Sequence, residues 1–329
     1  MTPPRPRLFV ELCCGSAAVT LRLLGGRYAV PPISYMGSKR GYAGAILAAL
    51  GLRSGIGADS VLLCDAGPWA HIYATLADPG RCAEVATILR GWVDEEPRAL
   101  WERLREEHRG EWDGWSVTGA AAWLYVTQRT VSQQEGEGGF LPLVTSGGHK
   151  VYAIDRPQIA RRVESVAAWL HVGAWCRNRD HRNGFNLPEA TDARPGMERY
   201  GYLPASLARR ITAPPAPLSI YAGPAEDLHP PGDCEGVYVY IDPPYSGTTG
   251  YAAKMPRETV LEVARRWSDA GAVVCVSEAE PLPLDGWHHV EITGARVGQR
   301  RTFSKQQAEW LTMNREPVEV PAVQEVLFP

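Results

Sequence analysis

The sequence predicts an α/β protein: a doubly wound, mainly parallel sheet interrupted by a mainly helical insert. Three observations carry that expectation. The strand-like runs at residues 8–12, 61–64 and 237–241 are continuously apolar or aromatic instead of alternating, as in strands covered by helices on both faces. Strand, small-residue loop and helical pattern follow one another in the order of βα units. Between about residues 79 and 206 the strand signals stop and helical stretches take over.

Taken in order, the first strand leads through CCGSA into a helical pattern at 17–24. Gly15, Ser16 and Ala17 lack bulk, so the backbone there can approach a nucleoside or an amino-acid moiety closely. The turn is not G-x-G-x-x-G, which makes a dinucleotide reading weak, and a plain tight βα turn is the alternative. YMGSKRGYAGAIL, residues 35–47, holds a G-S-K that lacks the phosphate-loop order, with Arg40 where a hydroxyl would be needed. Lys39 can instead pair with a free carboxylate. The second strand ends in Asp65, placed to accept both hydroxyls of a ribose or to cap a helix. Helical stretches at 81–107, 118–130 and 158–174 are separated by Gly-rich and polar loops. The amphipathic stretch 256–270 precedes the strand AVVCVS at 272–277 and makes a right-handed βαβ unit with the strand before it. Residues 1–78 and 207–329 are thus expected to form one discontinuous domain, with 79–206 as the insert.

Composition narrows the class. The chain has 329 residues, enough for a substantial core, with 45% hydrophobic and 22% charged residues. A net charge of −3 gives no global nucleic-acid signature, so any such surface has to be local. The seven cysteines include no C-x-x-C pair and several lie in apolar runs, as buried thiols of a reducing compartment do. No window approaches a membrane span and no secretory signal opens the chain, so a cytoplasmic protein is expected. The eight histidines form no metal-ligand set.

The most informative stretch is VYVYIDPPYSGTTGY, residues 237–251. Asp242 follows a buried strand, which puts its carboxylate at the edge of the sheet where open α/β sheets bind ligands. Pro243 and Pro244 have fixed φ and no N–H, so they hold the turn rigid and aim the Pro243 carbonyl outward. Tyr245 adds a flat aromatic face. Two acceptors beside a stacking ring suit a planar heterocycle with an exocyclic amino group. Hydrogen bonds from that amino group would favour a tetrahedral nitrogen and stabilise the charge that develops as it attacks an electrophile. A base within a duplex has to be flipped out to reach such a pocket.

Together these residues resemble the Dam-like family of S-adenosylmethionine-dependent DNA adenine-N6 methyltransferases. The DPPY of residues 242–245 matches the family's catalytic motif. FVELCCGSAAV resembles its E-P-F-x-G-x-G cofactor turn, which implies cofactor roles for Glu11, Cys13, Gly15, Ser16 and Ala17, the last in place of a glycine. YMGSK is similar to the Y-x-G-G-K segment, so Tyr35, Gly37 and Lys39 are implied at the cofactor, Lys39 at its methionine carboxylate. Asp65 matches the ribose-binding acid. SIYAGPAEDL lies where the family contacts the cofactor's adenine, making Glu226 and Asp227 candidates. WLYVTQRT followed by GGFLPL resembles part of the target-recognition insert, and EWLTMN the closing strand. One departure is clear: the family has its G-G-K segment before the cofactor turn, and here YMGSK follows it. The resemblance implies a Rossmann-like methyltransferase sheet with a target-recognition subdomain.

DNA contacts should lie on local basic clusters. Six arginines between residues 156 and 182, Arg177 and Arg179 among them, form one cluster; Arg296, Arg300, Arg301 and Lys305 form another. Gln128, Arg129, Gln133 and Gln134 are polar groups able to read base edges. The expected partner is double-stranded DNA, with a cognate restriction enzyme compatible and a monomer or weak dimer as the expected state. Cytosine N4 in DNA and adenine N6 in RNA remain alternatives, because DPPY serves an amino group and not one base. A non-catalytic DNA-binding module of the same fold is a third.

Overall fold

β1 (Leu8–Leu12) lies in the middle of a seven-stranded sheet, with β2 (Val61–Asp65) on one side and β4 (Val237–Ile241) on the other. The structure is a computed structural model that describes residues 5–26, 29–33, 35, 37–108, 116–130, 140, 155–172, 218–245, 255–292 and 309–318. The remaining strands are β3 (Leu218–Ala222), β5 (Val273–Glu278), β6 (His288–Ile292) and β7 (Glu309–Met313), and the order across the sheet is β3-β2-β1-β4-β5-β7-β6. The first five strands pair in parallel. β7 runs antiparallel between β5 and β6. Six strands therefore keep the 3-2-1-4-5-6 order of a Rossmann-like sheet, with one reversed strand inserted. Strand order switches direction between β1 and β4, so the carboxyl ends of those two strands mark the crevice where such sheets hold ligands.

Eight helices accompany the sheet among the described residues: α1 (Ala18–Gly25), α2 (Ala43–Ala49), α3 (Pro68–Ala77), α4 (Pro79–Gly91), α5 (Pro97–Glu107), α6 (Val117–Gln128), α7 (Arg156–Val172) and α8 (Arg257–Asp269). Alternate strand residues face opposite layers. Phe9, Leu63, Tyr238, Tyr240 and Cys275 join the core formed with α1 to α7, whereas Val10, Leu12, Val239, Ile241 and Val274 join the core under α8. α8 supplies Val260, Val263, Ala264 and Trp267, the i, i+3, i+4, i+7 stripe of a helix lying on a sheet.

The expected strands and the helical patterns at 17–24, 118–130, 158–174 and 256–270 appear within a few residues of their sequence bounds. The stretch 81–107 instead forms two helices. Glu96 accepts hydrogen bonds from the amides of Arg98 and Ala99, and Pro97 opens α5, so the first helix cannot run through. α4 to α7, assigned from sequence to the insert, share one apolar cluster with α1 to α3 and a sheet face. No separate core for the insert is seen among the described residues. No helix there is long and apolar enough to cross a membrane, and no group of three or more His, Cys, Asp or Glu there could hold a metal ion.

Candidate active site

The turn after β1 is built from left-handed backbone. Cys13 (φ 54°), Gly15 (φ 45°) and Ala17 (φ 46°) all adopt it, and two of the three carry a side chain. For a residue with a Cβ this costs roughly 1–2 kcal/mol, so neighbouring contacts must hold the turn in place. Asp65, at the end of β2, does much of this. One carboxylate oxygen accepts the Gly15 amide and the other the Gly67 amide, both at 2.8 Å. Asp65 does not cap α3, whose N-cap is Gly67. Burial pushes its carboxyl pKa up, with the two amide bonds acting against that rise. A Cβ built on Gly15 would meet nothing within 4 Å, so the turn presents open backbone on that side. A ligand can approach there.

Glu11, at the end of the same strand, points elsewhere. It is 2% exposed and its carboxylate accepts the Thr20 amide at 2.7 Å, capping α1 from beneath. Desolvation raises its pKa to about 7, and the charge of Asp242 adds a smaller push. Sequence reasoning placed Glu11 at the cofactor; its described contact is to the helix.

The displaced YMGSK segment returns to the same edge. Ser16 donates to Ser38 at 2.7 Å, joining the first turn to the 3-10 turn at Lys39–Gly41, and the Tyr73 hydroxyl donates to the Ser16 carbonyl at 2.6 Å. Tyr35 anchors the segment by packing edge-on against Trp69, with ring centroids 5.2 Å apart, and near Trp123. Gly37 has a positive φ of 85°, as the turn into Ser38 requires.

The DPPY stretch closes the site. The Asp242 amide donates to the Leu12 carbonyl at 3.1 Å, which extends the β1–β4 ladder one residue beyond β4 and puts Asp242 at the switch point. Lys39 Nζ lies 2.6 Å from Asp242 Oδ1 and 4.6 Å from the centroid of the Tyr245 ring. It also lies 3.6 Å from Glu309 Oε1, the first residue of β7, and the Tyr245 hydroxyl donates to that same oxygen. Lys39 is therefore an ammonium seated between a carboxylate and an aromatic face, with a second carboxylate behind it. From sequence it was expected at the cofactor's carboxylate. Glu278, at the end of β5, is a further buried acid whose pKa is raised by desolvation; Asp242 adds to the rise, and Arg257 and Lys39 oppose it.

No family model matches the chain, and no curated protein does.

Other predicted site residues are placed as follows. Glu226 and Asp227 form the 3-10 turn after β3, next to the end of β2, and Arg266 of α8 tethers that turn through the Glu226 carbonyl at 2.6 Å. Burial carries the Cys13 thiol pKa well up, with the charges of Asp65, Cys64, Asp242 and Glu226 adding to the rise. Pro243 is buried, whereas Pro244 and Tyr245 are half-buried. Arg129 requires a correction. It is 1% exposed, with its guanidinium over the Phe140 ring at 4.9 Å, and Gln128 beside it is wholly buried. The reason lies in α6, which is buried all round from Gly119 to Gln128 and cannot offer these side chains to a duplex. Arg156, of the first basic cluster, is likewise interior and donates to the carbonyls of Trp92 and Glu95. Arg177, Arg179, Arg300 and Arg301 lie outside the described residues. Sequence reasoning missed Glu309 and Glu278. The only signal for Glu309 was an acid opening the otherwise apolar strand EWLTM.

Proposed function

We propose that this chain is an S-adenosylmethionine-dependent DNA methyltransferase acting on adenine N6. The observation that carries the reading is the seat of Lys39: a nitrogen donor held between the Asp242 carboxylate and the Tyr245 ring, at the switch point, one strand from the open turn at Gly15. An exocyclic amino group on a flat base needs the same two partners. Asp242 would accept its N–H, draw the nitrogen lone pair out of the ring and stabilise the positive charge that grows on nitrogen. Tyr245 would stack on the flipped base.

The residues around the first turn suit the cofactor. Gly15 leaves room for backbone approach, and the 3-10 turn carrying Glu226 and Asp227 lies beside Asp65 at the neighbouring strand ends, where an adenosyl group would be gripped. Bound S-adenosylmethionine supplies a sulfonium methyl, an electrophile for an amine nitrogen. The chain's own contribution is to position the amine, exclude water and offset charge. Asp242 is covered by Lys39 in this structure, so an acceptor amino group must take the place of an ammonium.

The test is nucleoside mass spectrometry of unmethylated DNA incubated with the protein and S-adenosylmethionine. N6-methyladenine is expected with wild type and absent with Asp242→Ala, while cofactor binding persists in that variant. Asp65→Ala should do the reverse and weaken cofactor binding about tenfold or more, as loss of an acceptor for two amides implies. N4-methylcytosine in place of N6-methyladenine would keep the chemistry and change the base. Full turnover by Asp242→Ala would overturn the reading.

A further inference from the structure

Among the described residues Lys39 has two carboxylates within 4 Å, Asp242 and Glu309, and only one of them is needed by an acceptor amine. We infer that Glu309 is a positioning residue: the second seat of Lys39, which receives the ammonium when it yields Asp242. The kinetic part of this inference rests on the function proposed above; the geometric part does not.

The argument starts from burial. The Lys39 side chain is 5% exposed and that of Glu309 1% exposed. An ammonium pulled off its carboxylate in such a place loses its nearest charged partner, which is strongly unfavourable. Release to water would require the whole side chain to withdraw. Glu309 removes that requirement. Its Oε1 stands 3.6 Å from Lys39 Nζ, and closing the gap to the roughly 2.8 Å of a charged hydrogen bond takes a movement of under about 1 Å. Glu309 is held ready for it: β7 pairs with β5 and β6, placing its first residue against Ile292, and the Tyr245 hydroxyl fixes the same oxygen. Movement toward Glu309 Oε1 is movement toward the hydroxyl end of the Tyr245 ring. A shift of that size hands the ammonium's hydrogen bond to Glu309 and lengthens its contact with Asp242 to no more than about 3.4 Å; clearing the carboxylate and the ring face for an amine takes a further swing of the Lys39 side chain about Glu309. The net charge of the site is unchanged by the move.

Two experiments test this. The first needs no activity. The chain has only four lysines, Lys39, Lys150, Lys254 and Lys305, so competitive labelling with limiting acetic anhydride, read by peptide mass spectrometry, reports Lys39 against three internal references. If Glu309 can hold the ammonium alone, Asp242→Asn leaves Lys39 labelling within about threefold of wild type, while Asp242→Asn with Glu309→Gln raises it about tenfold or more. Asp242→Asn alone exposing Lys39 as fully as the double variant would overturn the inference. The second is kinetic, at saturating S-adenosylmethionine. Glu309→Gln keeps an oxygen for the Tyr245 hydroxyl and removes only the charge. It is expected to raise KM for duplex about tenfold, with cofactor Kd unchanged, and to change KM less than about twofold in a Lys39→Met background. An equal loss in both backgrounds would mean Glu309 is merely structural and would overturn the kinetic role. If wild type transfers no methyl to DNA, the proposed function fails, and the labelling still decides whether Lys39 has a second seat.

Discussion

Glu11 illustrates what a single carboxylate can cost and contribute. It sits under the sheet's helical layer, holds the first turn of α1 through the Thr20 amide, and has its pKa lifted by burial from 4.5 to about 7. Between those two values the native chain carries a proton that the unfolded chain has lost. Stability should therefore fall as pH rises through this window, by about 3 kcal/mol in all. Glu11→Gln keeps an acceptor for Thr20 and cannot ionise, so it should flatten that dependence. Thermal melts are expected to show little change at pH 4 and a gain of several degrees at pH 8, at about 2 °C per kcal/mol for a chain of this size. An unchanged pH profile would show that Glu11 does not titrate there. The sequence led to the expectation of Glu11 at a cofactor turn and did not reveal its partner, because a contact nine residues away across a strand–helix junction depends on where the helix starts. Lys39 is a stronger case. Nothing in YMGSK foretold that its ammonium would meet a carboxylate some 200 positions later.

Among elements, legibility followed burial. β1, β2, β4 and β5 were read from continuous apolar runs, since helices or sheet neighbours cover both their faces. β3 and β6 were not read as strands. They are the two edges of the sheet, only partly buried, and LSIYA and HHVEI carry the polar residues that edges tolerate. The turn into α1 was read as small and accommodating, yet its left-handed Ala17 was not foreseen. At the N-cap of α1, with φ 46° and ψ 37°, Ala17 stands where the resembled family has glycine. Ala17→Gly should relieve that backbone and stabilise the folded chain by about 1 kcal/mol, measurable as a raised denaturation midpoint at unchanged slope. A loss of stability would mean that packing of the buried methyl outweighs the backbone strain.

For the molecule as a whole, the sheet's one reversed strand matters most. β7 lies inside the order, between β5 and β6, and bonds to both. Ending the chain after residue 308 would remove Glu309 from the site, open the β5 edge and leave β6 without its partner. Circular dichroism and hydrogen exchange on that truncation should show loss of cooperative unfolding and of protection in β5, and retained protection would mean the parallel strands fold without it. Fold class was legible at this scale because it rests on patterns summed over many residues. The position of the candidate site was legible where it depends on one strand end, as at Asp242 to Tyr245; where a wall came from a distant strand, as with Glu309, it was not.

The place of β7 also sets a timetable. Synthesis delivers the chain from its N-terminus at about 5–20 residues per second, and β1, β2 and β4 with the Asp242 turn are complete well before residue 309 exists. Until then the gap beside β5 is unfilled, and the parallel strands lack the neighbour expected above to lock them into one cooperative unit. Only when the strand at Glu309–Met313 threads in between β5 and β6 does the back wall of the site arrive. Half-made copies would carry residues 242–245 without the wall that Glu309 supplies, so the finished site exists only in chains translated past that point.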